Sequence, residues 1–376
     1  MDRKKVVVVG PIYPFRGGIA HSNTMLCSNL SKNHDVTSIS FKRLYPKILF
    51  PGKAQKYEEK RKFDIKVEHI IDSINPFNWL SVFFRIRKIN PDIVILLWWT
   101  IFLAPFSFTL LLLLNLFSNI KICILCHNVL QHEKRFFDNF LTKLIFKRAD
   151  YFVVLASIDL KNLKHMVPNA KVKVFVEPTY DNFFSEAGIS KEEAKKRIGL
   201  NGRVILFFGF VRPYKGLMYL IDAMPFVLKK INLTLLIAGE FWGDKDKYLH
   251  QIEKNNLSGN IRIVDKYLPD EEVPLYISCA DVLVLPYTSA TQSAILQTSF
   301  GFNKPVITTN VGGLPDFVRN NETGILIPPK DSKKLADAII DFYITKKEKK
   351  FVNNIKSKRN LFAWNESREK ILFHGL

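Results

Sequence analysis

Arg212 and Lys215 stand three residues apart in FFGFVRPYKG, between an apolar run ending at Phe208 and a segment whose apolar residues recur at helical spacing. Gly209 lets the chain turn, and a helix opening at that point offers amides that suit an anion. Arg212 can grip phosphate oxygens through two parallel hydrogen bonds, while Lys215 adds a compact charge. The chemistry on offer is therefore the holding of a diphosphate, and of the negative charge that grows on it when a group departs. Taken alone, a strand, a turn and a helix with two cations is more often a solvated loop.

A second constellation follows in PYTSATQSAILQTSFGFNKPVITTNVGGLPDFV, residues 286–318. A strand ends at Pro286, a loop rich in Ser and Thr follows, and a helix is expected to begin near Gln292 or Ser293. Its first turn, through Ala294 and Ile295, again offers free amides. Hydroxyls of Thr291 and Ser293 can cap that helix or bind phosphate. Plain N-capping is the simpler reading of those hydroxyls, were it not for the strand KPVITT and the turn NVGGLPD that follow at once. A third string, CILCH, places Cys123 and Cys126 before His127. A structural zinc site would need two more ligands at suitable spacing, and haem attachment would need export. Two buried strand cysteines, with side chains on opposite faces, are the better reading.

These residues need strands to end where they sit. Short apolar runs alternate with amphipathic segments along the whole chain, the pattern of parallel sheets with crossover helices. Strands are expected near residues 6–10, 35–41, 92–98, 121–126, 151–155 and 171–176, then near 203–209, 233–239, 261–265, 281–286 and 304–309. They are continuously hydrophobic, as strands covered on both faces are. Between the two sets EPTYDNFFSEAG breaks the pattern. This divides the chain into a first domain, 1–180, a second, 181–360, and a terminal helix, 361–376, that returns to the first. Two doubly wound α/β domains imply a ligand beyond the carboxyl ends of their strands, in a cleft between them. Trp98 and Trp99 end a strand on that side. One of them can line an acceptor site and the other is expected in the core.

Composition sets the outer limits. With 376 residues, 47% apolar and 24% charged, the chain has the length for two cores and no disordered tract. Four scattered cysteines point to a reducing compartment, and MDRKKVVVVG is no secretory leader, so a cytoplasmic protein is expected. The apolar run at 101–117 is interrupted by Pro105, Ser107, Thr109 and Asn115, which suits a buried helix with one face near lipid better than a span. The net charge is +20, and in residues 1–180 there are 27 Lys and Arg against 13 Asp and Glu, leaving +14 there. Residues 41–63 interleave Arg43, Lys47 and Lys53 with Tyr45 and other large apolar groups. That mixture suits an acceptor or an anionic membrane surface, where each cation contributes about 1 kcal/mol. A solvated basic face is the bland alternative. Nucleic acid is not expected, because no helix-turn-helix, zinc-finger or RNA-recognition signature accompanies the charge.

GFVRPYKGL, the AGE at 238–240, YLPDEEVPLYISCADVLVLPY and GFNKPVITTNVGGLPDFVRNNETGILIPPKD together resemble the donor-binding domain of retaining glycosyltransferases of family 4, which have the GT-B fold. The resemblance covers residues 200–345. In the first domain, PIYPFRGGIAHSN and CHNVLQHE are similar to the family's glycine loop and histidine motif. The resemblance implies two Rossmann-like domains facing a central cleft and transfer of a sugar from a nucleotide donor to a glycan or lipid-linked acceptor, without a metal or other cofactor. It implies that Lys215, with Arg212, holds the donor diphosphate, although the family's arginine more usually follows the glycine directly, where this chain has Phe210. Gly17 and Gly18 would bring amides close to the phosphates or sugar, His127 would contact the transferred sugar, and Glu240 would lie near the nucleotide or, in the alternative, have only a surface role. The family's two glutamates, eight positions apart, fall here on Ala290 and Thr298. In one reading the SATQS loop substitutes amides with Gln292 and Ser293, and Thr298 makes a weaker ribose contact. In the other, activity is lost and the chain is a scaffold that binds nucleotide sugar or a partner enzyme. A dehydrogenase is disfavoured, since no GxGxxG follows either first strand. A peripheral enzyme of polysaccharide or cell-envelope synthesis, at the inner face of a membrane, is the expectation.

Overall fold

Apolar runs become parallel strands wherever a helix can cover each face. The computed structural model describes residues 2–50, 54–58, 61–130, 138–180 and 188–376. Lys53 and most of the expected joint, residues 181–187, lie outside them. The chain divides into two compact units, Met1–Glu177 with Trp364–Leu376, and Pro178–Ala363.

In the first unit the strands are β1 (Lys5–Val9), β2 (Asp35–Arg43), β3 (Lys66–Asp72), β4 (Ile93–Trp98), β5 (Lys121–Cys126), β6 (Tyr151–Val154) and β7 (Val172–Val174). They form one parallel sheet in the order β3-β2-β1-β4-β5-β6-β7. The second unit repeats the plan with β8 (Val204–Phe208), β9 (Thr234–Ala238), β10 (Ile261–Val264), β11 (Val282–Leu285), β12 (Val306–Thr309) and β13 (Gly324–Ile327), ordered β10-β9-β8-β11-β12-β13. The order reverses between β1 and β4 and between β8 and β11. Loops leaving the carboxyl ends of those strands diverge, and such points receive ligands.

Two strands escape the sequence pattern for physical reasons. In β3, KVEHIID is an edge strand with a half-exposed face, where Glu68 pairs with Arg85 at 2.7 Å, so no continuous apolar run marks it. In β13, GILI is too short to stand out. The central strands behave as expected, with Val6, Val7, Val8, Ile93, Val94 and Ile95 wholly buried in one core and Ile205, Phe207, Leu235 and Ile237 in the other.

The last helix, Glu366–Leu372, belongs to the first unit. The buried Nε2 of His34 donates to Glu369 at 2.9 Å, because its Nδ1 already accepts from the Lys4 amide. Tyr151 donates its hydroxyl to the Leu372 carbonyl at 2.8 Å, and Arg368 donates to the carbonyl of Val176. Among the described residues no helix is long and apolar enough to cross a membrane. The run expected to be a buried helix is one, Ala104–Phe117, with Leu110, Leu111 and Leu114 facing inward.

Candidate active site

The turn after β8 folds back on itself because two glycines let it. Gly209 has φ 97°, and a Cβ there would stand 2.4 Å from Cδ1 of Ile295 and 3.2 Å from Nζ of Lys215. Gly216 has φ 70°, and its Cβ would meet the Pro286 carbonyl oxygen at 1.9 Å. The short turn Pro213–Lys215 is thereby pressed onto the end of β11, where Thr288 donates both its amide (2.7 Å) and its hydroxyl (3.1 Å) to the Tyr214 carbonyl. Lys215 is buried, with its ammonium 5.5 Å from the centre of the Tyr287 ring. Burial, and then the charge of Arg212, bring its pKa down to about 7. The Arg212 guanidinium lies 5.2 Å from the Tyr214 ring and 5.7 Å from the Trp242 ring. Among the described residues no carboxylate pairs with either cation. Two adjoining cations, one desolvated and neither paired with a carboxylate among the described residues, can accept an anion.

The loop leaving β11 forms the second wall. Thr309 and Thr308 donate their hydroxyls to the carbonyls of Tyr287 and Leu285, fastening the strand ends. Gly312 (φ 55°) lies so close that a Cβ would stand 1.5 Å from the Ala290 carbonyl oxygen, and the Gly313 amide donates to Thr291 at 2.9 Å. These contacts set the entry of the helix Ala294–Gly301, whose N-cap, Ser293, makes no side-chain capping bond. The Ser293 hydroxyl instead lies 3.5 Å from that of Tyr287. The first-turn amides of Ala294 and Ile295 have no intrahelical acceptor and carry the positive end of the helix dipole. Gln297, wholly buried one turn further on, has both amide atoms without a partner among the described residues.

The predicted donor residues therefore converge in part. Arg212, Lys215, Ser293 and Ile295 are gathered around Tyr287 and Gly209. Glu240 is drawn in through Trp242, whose indole N–H donates to it at 3.1 Å and whose ring lies 4.3 Å from that of Phe210. Thr298 donates its hydroxyl proton to the Ala294 carbonyl at 2.8 Å, which leaves it only as an acceptor toward a ribose. Tyr287, Tyr214 and Trp242 are the contributors that local sequence did not identify, since ring positions depend on strands far apart in the chain.

In the first unit Gly17 (φ 102°) caps the helix Gly18–Leu30 without a side chain, and no atom of the described residues lies within 4 Å of where its Cβ would be. An extended segment lies alongside: the Arg16 amide donates to Gln55, the Tyr57 amide to Pro14, and the Tyr13 and Tyr57 rings stack at 5.4 Å. Nε2 of His21 lies 3.0 Å from the Tyr57 hydroxyl, and Arg16 lies over the same ring at 5.6 Å. His127 follows β5, its amide donating to the Trp98 carbonyl at 2.8 Å. Burial lowers its pKa to about 3, so the imidazole is neutral at working pH. Burial also raises both neighbouring thiols, Cys123 and Cys126, which are core residues rather than thiolates.

Two residues of the basic segment have partners within the first unit. Arg43 is tied to Asp72, and Tyr45 accepts the Trp99 indole N–H at 3.1 Å while its ring lies 5.3 Å from Phe102. Lys47 opens the short turn Lys47–Leu49. Trp98 and Trp99 are both buried.

Residues 202–344 match the family described as "Glycosyl transferases group 1". The chain is 30% identical over 202 residues to the D-inositol 3-phosphate glycosyltransferase of Corynebacterium glutamicum, covering 51% of this chain and 48% of that protein. It is 25% identical over 152 residues to the alpha-D-kanosaminyltransferase of Streptomyces kanamyceticus, covering 40% and 39%. The chain thus spans about half, or less, of the length of the curated relatives it matches. Likeness in three dimensions is broader. Sucrose-phosphate synthase from Thermosynechococcus elongatus superposes with a TM-score of 0.74 at 15% identity, over 99% of this chain and 97% of that one. Anabaena HepE, solved in complex with UDP-glucose, gives 0.74 at 16% identity over 99% and 98%. These likenesses show two Rossmann-like domains of the GT-B fold.

Proposed function

We propose, from the premise that residues 202–344 form a group 1 glycosyl transferase domain, that this chain is a retaining glycosyltransferase using a nucleotide-sugar donor. The observation that carries the reading is the buried Lys215 beside Arg212, without a carboxylate partner among the described residues, at the point where strand order reverses. A donor diphosphate supplies the missing negative charge. As the glycosidic bond to phosphate breaks, the leaving oxygen gains charge, and Arg212, Lys215 and the amides at Ala294 and Ile295 are already oriented to stabilise it. The acceptor hydroxyl attacks from the face the leaving group vacates and passes its proton to the departing phosphate. No protein nucleophile and no metal takes part. His127, held neutral, serves as a hydrogen-bonding partner of the transferred hexose, and Gly17 and Gly18 admit the ligand close to the backbone.

The complex of the Anabaena protein with UDP-glucose makes uridine nucleotides the first donors to test. The acceptor is a glycan or lipid-linked sugar of the cell envelope, and the enzyme works at the inner face of an anionic membrane. The +14 excess in residues 1–180 supports that placement. A second reading, an inactive scaffold that still binds nucleotide sugar, is favoured by one observation: Ala290 and Thr298 offer no carboxylate. A thermal-shift and hydrolysis panel with UDP-, GDP- and dTDP-sugars, with and without a chelator, separates the two. Stabilisation by one class with slow, chelator-insensitive release of nucleoside diphosphate, lost in Lys215→Ala, supports the transferase. A shift without turnover supports the scaffold, and no shift in folded protein overturns both.

A further inference from the structure

The helix Pro76–Ile89 of the first unit is apolar on both faces. It buries Trp79, Val82, Phe83 and Ile86, yet its outer face shows Phe77, 83% exposed, with Leu80 and Phe84, 63% exposed. Those three recur at i, i+3 and i+7 and so form one stripe, which Ile74, also exposed, extends just before the helix. Beneath the stripe, the buried ring of Phe83 lies 6.2 Å from that of Phe117, which is exposed at the end of the neighbouring helix. Single exposed apolar residues are ordinary, whereas a contiguous stripe of large ones marks an interaction face. Its rim is basic. PFNWLSVFFRIRKI contains no Asp or Glu, and among the described residues only Arg85 of Arg85, Arg87 and Lys88 has a carboxylate partner, Glu68.

We propose that this face lies on an anionic lipid surface, with Phe77, Leu80 and Phe84 entering below the headgroups and Arg87 and Lys88 among them. The proposal rests on the peripheral-membrane reading above and assigns it a surface. An apolar stripe with a basic rim is the chemistry of helices that lie in the plane of a membrane. Charge chooses the occupant. A second copy would bring the same basic rim, within a region of net charge +14, against its like, whereas anionic lipid neutralises it. Long basic side chains can keep their heads among phosphates while their stems lie along the apolar layer.

The test is co-sedimentation of the full chain with phosphatidylcholine vesicles, and with vesicles containing about one third phosphatidylglycerol, for wild type and a Phe77→Ser/Phe84→Ser double variant. Both substitutions are at exposed positions, so the thermal midpoint and the nucleotide-sugar shift report that the fold is kept. The expected result is wild-type binding to the anionic vesicles alone, weakened at least ~10-fold in the double variant. Equal binding by both proteins would overturn the assigned face while leaving the peripheral reading in place. No binding by wild type would overturn both. Conversion of a dimer to a monomer by the double variant, in sedimentation without lipid, would assign the face to a second copy and overturn the proposal.

Discussion

Lys215 should take up a proton when a nucleoside diphosphate binds. In the free protein burial and Arg212 hold its pKa at about 7, so at pH 8 roughly one molecule in ten carries the charge. A diphosphate against the ammonium favours the charged form and restores the pKa toward its ordinary value of 10.5. Binding UDP at pH 8 should then take up about 0.9 proton per site, and affinity should fall roughly fifty-fold between pH 7 and pH 9. The nucleotide contributes little, since its last phosphate ionisation, near pH 6, is complete by pH 8. The free protein shows the opposite trend. Between about 7 and 10.5 the unfolded lysine binds the proton that the folded one has lost, so stability rises with pH through that window. The limiting gain from this group is on the order of 5 kcal/mol. Calorimetry in buffers of different ionisation enthalpy measures the uptake directly, with Lys215→Met as the control that should abolish it. Uptake below about 0.2 proton at pH 8, together with affinity flat from pH 7 to 9, would refute the assignment of Lys215 to the phosphate.

Arg212→Gln should weaken UDP binding and, by removing a like charge, raise the Lys215 pKa, so that the variant takes up less proton at pH 8 than wild type; equal or greater uptake would contradict the coupling. His127, with a pKa of about 3, should impose no acid limb on transfer between pH 5 and 8. A limb near pH 6 in the rate profile that disappears in His127→Gln would show the imidazole to be charged in use. Gly312→Ala, which drives a Cβ into the Ala290 carbonyl, should lower unfolding stability by more than about 3 kcal/mol, while Gly17→Ala, at φ 102° and ψ 164° but with open space among the described residues, should cost less, on the order of 1–2 kcal/mol. Denaturant midpoints of the two variants check this, and equal losses would refute the contact argument.

How much of this was legible depends on whether the cause is local. VVVV, KICILC and LTLLIAG are read as strands directly, because central strands buried on both faces are continuously apolar. KVEHIID is not, because an edge strand can spend Glu68 on an ion pair and leave no pattern. Arg212 and Lys215 are legible as two cations at a turn between a strand and a helix, a pattern that alone is more often a solvated loop and gains its meaning from the motifs that follow it. Their energetics are not, because the Tyr287 and Trp242 rings come from the ends of β11 and β9. In residues 41–63 composition shows the cations but not that Arg43 is paired with Asp72 or that Tyr45 accepts from Trp99. Composition counts charges, and only folding pairs them.

The return of Trp364–Leu376 to the first unit also orders events at the ribosome. The second unit has all of its residues, Pro178–Ala363, once Ala363 has emerged. The first unit, although made earlier, must hold His34 and the face beside Tyr151 uncovered until Glu369 and Leu372 are translated. The half synthesised first is thus the last to have all of its residues.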